Sequence, residues 1–126
     1  MEKIKVLVVD DEEIILMVIK RFLSKDPIFE VETAARGHQA ITMAAKKPYD
    51  ALLCDIGLPD MEGTEIVEEL KTKNTCPDLV VFMSGIVSAM PRNMLGNMFF
   101  IRKPLNPSEL TSLLISKVRG GQKPKE

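Results

Sequence analysis

The stretch IKVLVV, Ile4–Val9, runs straight into Asp10-Asp11-Glu12-Glu13, and that junction decides how the chain is read. Six residues, four of them β-branched, with only Lys5 interrupting the apolar run, suit a strand covered on both faces, as in a parallel sheet flanked by helices. The abrupt change to four acids marks the strand's carboxyl end. Two later junctions repeat the pattern: YDALLC (49–54) ends at Asp55, and MFFIR (98–102) ends at Lys103-Pro104. In an open parallel α/β sheet, ligands bind in the crevice outside the carboxyl ends of the strands. Charge therefore gathers where such a sheet does its chemistry.

Between these junctions the pattern alternates strand and helix. Residues 11–25 place Ile14, Ile15, Val18, Ile19, Phe22 and Leu23 at helical spacing, ended by Asp26-Pro27. Residues 29–33 read as a second strand, and 37–47 as a helix through Ala40, Ile41, Ala44 and Ala45. The third strand is 49–54. A loop at Gly57-Leu58-Pro59-Asp60 leads to a helix over 63–73 with Ile66, Val67 and Leu70 on one face. Residues 79–83 form a fourth strand before Ser84-Gly85, and 97–101 a fifth. The last helix spans 107–119, with Leu110, Leu113, Leu114 and Val118 inward. Asn106 is placed as its N-cap, Pro107 suits its first position, and Glu109 suits its first turn. The polar tail, 120–126, is expected to be disordered.

This alternation predicts an α/β fold, a doubly wound five-stranded parallel sheet in three α/β/α layers, and the flavodoxin-like (βα)5 order 2-1-3-4-5 is one of its two common forms. That order makes the first and third strands neighbours and brings Asp10, Asp11 and Asp55 together.

Composition narrows the function classes. A chain of 126 residues suits one domain, and a net charge of −1 gives no bulk attraction to nucleic acid. No apolar run of about 18 residues exists to span a membrane, and the N-terminus lacks the pattern of a secretory signal. Cys54, within an apolar run, reads as a small core residue, and Cys76 lies in a loop. The two show neither metal-ligand spacing nor a disulfide framework, so a reducing, cytoplasmic setting is expected. His38, the sole histidine, follows Gly37 near a helix start and reads as solvated or capping rather than catalytic.

Clustered carboxylates raise one another's pKa unless a cation sits among them. Mg²⁺ takes hard oxygen ligands, which Asp11 and Asp55 could supply directly and Asp10 directly or through water, with a backbone carbonyl at Gly57. A carboxylate is also a nucleophile toward phosphorus, and Asp55, alone at its strand end, is the natural one. Lys103 and the Ser84 hydroxyl could hold phosphoryl charge. Each piece has a plainer reading: Asp11 as a helix N-cap with Glu12 and Glu13 favouring the dipole, Asp55 as a loop cap, Lys103-Pro104 as a strand exit. Their coincidence at one end of one sheet favours the chemical reading.

Over residues 3–119 the chain resembles the receiver domain of two-component response regulators. The resemblance rests on VLVVDDE at Asp10-Asp11, D-x-x-L-P-x-M-x-G from Asp55 to Gly63, Ser84-Gly85 and Lys103-Pro104, in order. It implies that Asp55 accepts phosphate from a sensor histidine kinase, a phosphotransfer protein or a small phosphodonor. It implies that Asp10 and Asp11 bind Mg²⁺, that Ser84 and Lys103 contact the phosphoryl group, and that Lys103-Pro104 is a cis bond. Phe100 holds the place of an aromatic that switches together with Ser84. The domain is expected to catalyse only its own phosphorylation and dephosphorylation and to switch a protein-interaction surface. Homodimerisation is expected through the fourth predicted helix, the fifth strand and the last helix, with no direct contact to nucleic acid or membrane.

The chain departs from the family in several places. The stretch between Ser84 and Lys103 is short and contains Pro91, which breaks a helix interior, so the helix there is expected to be short, bent or irregular. Met83, Met90, Met94 and Met98 read first as core filling beneath it and second as a partner patch. Phe100 lacks a phenolic hydroxyl. Gly57 and Ile86 occupy positions that modulate water access to the acyl phosphate in the family. A phosphohydrolase with an Asp nucleophile is disfavoured because Gly57 stands where a second Asp is needed, and a nucleotide binder because DDEE repels phosphate. A receiver-like module that no longer uses phosphate is opposed by the complete acidic set. Beyond 119 only the tail follows, which suits either a stand-alone regulator or a piece of a longer protein.

Overall fold

A computed structural model describes residues 3–86 and 96–122, with side chains through Val118. Five strands and four helices follow in the order β1 (Ile4–Val9), α1 (Glu13–Leu23), β2 (Phe29–Ala34), α2 (Gly37–Lys46), β3 (Ala51–Asp55), α3 (Gly63–Thr72), β4 (Leu79–Ser84), β5 (Met98–Arg102) and α4 (Pro107–Gln122). All strand pairings are parallel and the sheet order is β2-β1-β3-β4-β5, the predicted doubly wound arrangement. The predicted helix between β4 and β5, with Met90, Pro91 and Met94, lies outside the described residues.

Side chains alternate across each strand, and the alternation builds two cores. Val6, Val8, Leu53, Val81 and Met83 pack toward α1 and α4, with Leu16, Ile19, Leu110 and Leu114. Leu7, Val9, Leu52, Cys54 and Phe82 pack toward α2 and α3, with Ala40, Ile66 and Leu70. Burying one such large apolar side chain contributes about 1.5–3 kcal/mol. Met83 is wholly buried and Met98 packs partly against the second core, so both fill space beneath neighbouring elements.

Several boundaries move for local reasons. Helix α1 starts at Glu13 rather than at 11, because Asp10 Oδ1 accepts the Glu12 N–H at 2.9 Å and closes a turn that competes with helix. Asp11 is exposed, and Glu12 rather than Asp11 is the N-cap residue. At the other end, Asp26 Oδ1 accepts the Ile28 N–H at 3.0 Å. Strand β3 begins at Ala51 and includes Asp55. Helix α4 continues through Gly120 and Gly121 to Gln122, so the tail predicted from 120 is helical over its first three residues. Glycine costs about 1 kcal/mol in a helix relative to alanine but does not forbid it. The N-cap of α4 is as predicted: Asn106 Oδ1 accepts the Glu109 N–H at 3.1 Å.

Helix α1 has apolar residues at eight of its eleven positions. One helix packed on one sheet face cannot bury them all. Leu16, Ile19 and Leu23 are buried, whereas Ile14, Met17 and Val18 stand 69%, 54% and 54% exposed.

Candidate functional site

Register assembles the site. Val9 pairs with Cys54, Asp55 with Met83 and Ser84 with Arg102. Asp10, Asp55, Ser84 and Lys103 therefore come level along the carboxyl edge of β1, β3, β4 and β5. The backbone continues this order past the strands: Ile56 N–H donates to Met83 O at 3.1 Å, and Lys103 N–H to Ser84 O at 2.9 Å. The Lys103-Pro104 bond is cis, as predicted.

Asp10, Asp11 and Asp55 each bring a carboxylate oxygen within 4.8 Å of the other two. Asp10 is wholly buried and Asp55 nearly so, while Asp11 is exposed. The Lys103 ammonium lies 2.7 Å from Asp10 Oδ2, 3.3 Å from Asp55 Oδ1 and 3.6 Å from Glu12 Oε1. One ammonium among three clustered carboxylates leaves the crevice net negative. Burial and the neighbouring Asp10 charge push the Asp55 carboxyl above its ordinary value, with Lys103 opposing them. For Lys103, burial works against the charge, but the bond to Asp10 and the charges of Asp10 and Asp55 together outweigh it and hold the ammonium above its usual range. The donor set is hard oxygen in a net negative pocket, which fits Mg²⁺ and suits neither a soft metal nor an uncompensated anion.

Ser84 is buried and its Oγ accepts the Ile86 N–H at 3.1 Å. Phe100 is partly buried, pairs with Phe82 across β4 and β5, and packs on the α2–α3 side of the sheet. Gly57 is exposed at the start of the β3–α3 loop, where it bridges to Glu62. A Cβ placed on Gly57 or Gly85 would meet nothing within 4 Å, so the rim of the crevice is open there. Cys54 is buried with its thiol pushed up by burial and by Asp55, an inert core residue as predicted.

Two participants escaped the sequence reading. Glu12 completes the acidic collar around Lys103, although its place in the first turn of the predicted helix suggests only a dipole role. In the sequence Asp60 lies in a bare loop and His38 at a helix start, 22 residues apart. In the fold they meet, with His38 Nδ1 2.6 Å from Asp60 Oδ2.

The sequence profile of the response regulator receiver domain matches residues 6–115. The chain belongs to this family. It is 35% identical over 125 residues to a protein-glutamate methylesterase/protein-glutamine glutaminase of Halalkalibacterium halodurans, a match covering 92% of this chain and 36% of that protein. It is 28% identical over 107 residues to the transcriptional regulatory protein SrrA of Staphylococcus aureus, covering 84% of this chain and 44% of that one. The chain thus spans less than half the length of these relatives. Among solved structures it resembles the chemotaxis protein CheY4 of Vibrio cholerae with a TM-score of 0.76 and 27% identity, covering 89% of this chain and 96% of that one. A two-component response regulator from Clostridium difficile shares the fold at a TM-score of 0.81 and 21% identity, over 96% of this chain and all of that one. Membership of this family is consistent with phosphorelay signalling. No helix among the described residues is long and apolar enough to cross a membrane.

Proposed function

We propose that this chain is a phosphoryl-accepting switch in which Asp55 is the acceptor. The observation that carries the reading is the Lys103 ammonium shared between Asp10 and Asp55, with Asp11 completing a carboxylate cluster at the strand ends. Asp10, Asp11, Asp55 and the Gly57 backbone carbonyl would hold Mg²⁺. When bound, the ion neutralises carboxylate and phosphoryl charge so that the two anions can approach.

Asp55 is oriented for attack by its place at the end of β3 and by the ion pair to Lys103. Its carboxylate oxygen forms a bond to phosphorus as the donor's P–N bond breaks. The electron pair goes to the leaving imidazole nitrogen, which takes up a proton. Lys103 then pairs with the phosphoryl oxygens, and the Ser84 hydroxyl, released from the Ile86 N–H, turns toward them. Phe100 follows by repacking on the α2–α3 side. Positioning and charge stabilisation account for the catalysis.

The donor is a sensor histidine kinase or a phosphotransfer protein. A groove of about 170 Å³ lined by Ile15, Val18, Phe22, Lys103, Pro104 and Leu110 shares Lys103 with the crevice. Val18, which lines the groove, and Ile14, one turn before it on α1, carry exposed apolar surface. A phosphohistidine-bearing helical partner seated there would present its imidazole to Asp55. The receiver unit spans 1–119, acts as a signalling module rather than on a separate substrate, and works in the cytoplasm. Its output passes to a domain or protein through a surface altered by phosphorylation.

Beryllofluoride, a phosphoryl mimic, tests the reading. With Mg²⁺ it should shift the amide resonances of Ser84, Gly85 and Lys103 in the intact chain, and Asp55→Asn should abolish the shifts. Equal shifts in Asp55→Asn would refute the assignment.

A further inference from the structure

We propose that Asp60 is a positioning residue for the phosphoryl-acceptor site, latching the β3–α3 loop onto the N-terminus of α2 and so holding Gly57 in one conformation. The inference rests on the reading of Asp55 and Gly57 given above and adds a residue to it.

The base of this loop is pinned immediately after the acceptor. Gly57 and Glu62 form an antiparallel bridge, and Gly63 N–H donates to Ile56 O at 2.7 Å. A Cβ on Gly63 would lie 2.5 Å from the Asp55 carbonyl oxygen, so only glycine allows α3 to start this close. The tip, residues 58–61, is a different matter. Its polar anchor is Asp60, whose Oδ1 accepts the Gly37 N–H at 2.9 Å and whose Oδ2 accepts the His38 N–H at 2.9 Å. The His38 ring adds a contact at 2.6 Å. Met61 lies over Gly37 in space that a Cβ there would need, with Sδ 2.6 Å from its position.

Helix α2 shows why the latch is strong. Its N-cap residue is Arg36, which makes no side-chain capping bond, and its first turn holds no acid. A helix start leaves unpaired N–H groups and a partial positive charge. Asp60 supplies both the acceptors and the charge from another element. Leu58 and Met61 rest the tip on the second core, its polar tie is Asp60, and the same carboxylate caps a helix that has no cap of its own. The bonds from the His38 and Gly37 N–H groups, with the His38 ring, accordingly hold the Asp60 carboxyl well below the ordinary carboxylate range.

Mg²⁺ titration calorimetry of the intact chain, paired with urea unfolding, tests the latch. Asp60→Ala should weaken Mg²⁺ binding about tenfold, in line with groups that orient metal ligands. Asp60→Asn, which keeps an acceptor oxygen, should retain most of the affinity. Asp60→Gln, whose acceptor is displaced, should behave as Asp60→Ala and replaces it should the alanine variant not fold. His38→Ala leaves both backbone bonds and should stay within about twofold of wild type. Val118→Ala, in the core between the sheet and α4, should lower the unfolding midpoint yet keep Mg²⁺ affinity. Wild-type affinity in Asp60→Ala and Asp60→Gln overturns the latch and leaves the acceptor reading standing. Equal loss in Val118→Ala also overturns the latch, because the effect is then general stability. A wild-type chain that binds no Mg²⁺ overturns the acceptor reading and the latch with it.

Discussion

The two helical layers flanking the sheet are built to opposite ends. On one side, α2 and α3 turn polar residues outward, among them His38, Gln39, Glu65, Glu68 and Glu69, and bury Ala40, Ala44, Ile66 and Leu70. The N-terminus of α3 abuts β3 at Gly63, and that of α2 is bound to the β3–α3 loop by Asp60. On the other side, α1 leaves Ile14, Met17 and Val18 in solvent, and Val18 borders an apolar groove that reaches Lys103. On the proposed reading, one layer holds the chemistry and the other meets the partner. The same crevice thus has a rigid wall and a receptive one.

Substitution can break that contrast on either side, and the rigid wall should respond most. Gly63→Ala forces a methyl against the Asp55 carbonyl, and overpacking of this kind costs about 1–3 kcal/mol. Urea unfolding should show a loss near the upper end of that range together with impaired phosphate uptake, because the backbone that yields carries Asp55. A stable, fully active Gly63→Ala would mean that the wall is softer than its distances indicate.

The receptive wall should respond in partner-dependent steps alone. Ile14→Glu with Val18→Glu should slow phosphotransfer from a phosphohistidine protein about tenfold, equivalent to about 1.4 kcal/mol. Uptake from acetyl phosphate, which needs no docking, should be unchanged. Equal slowing with both donors would move α1 from the contact side to the chemical side of the comparison.

The smallest expected effect concerns the latch and pH. The Asp60 carboxyl is held below its ordinary value of 3.8, chiefly by the His38 and Gly37 N–H groups. Its stabilisation is therefore complete above that value and is lost as pH falls through the lower folded value. The urea midpoint of wild type should exceed that of Asp60→Asn at neutral pH, and the gap should narrow below pH 3.8. A gap that widens on acidification would contradict the ion-stabilised cap.

Much of this was legible in the sequence because it follows from short-range signals. Ile4–Val9 announces a doubly covered strand, and the acids and lysine that end β1, β3 and β5 announce the crevice. The remainder depends on tertiary approach. Nothing near His38 reveals that a loop 22 residues later caps its helix, and only the packing of α1 on one sheet face decides that Ile14 and Val18 remain in solvent. Asp10 and Asp11 are neighbours of one type, yet one is buried and the other exposed, because the turn closed by Asp10 Oδ1 rotates them apart. Gly120 and Gly121 suggested a stop that the helix does not obey.

Intact-mass measurement after incubation with acetyl phosphate and Mg²⁺ tests the central claim most directly. The account predicts that wild type gains one phosphoryl group, stable to acid and labile to base, and that Asp55→Asn gains none. A wild-type chain that gains no adduct, or an adduct that persists in Asp55→Asn, would contradict it.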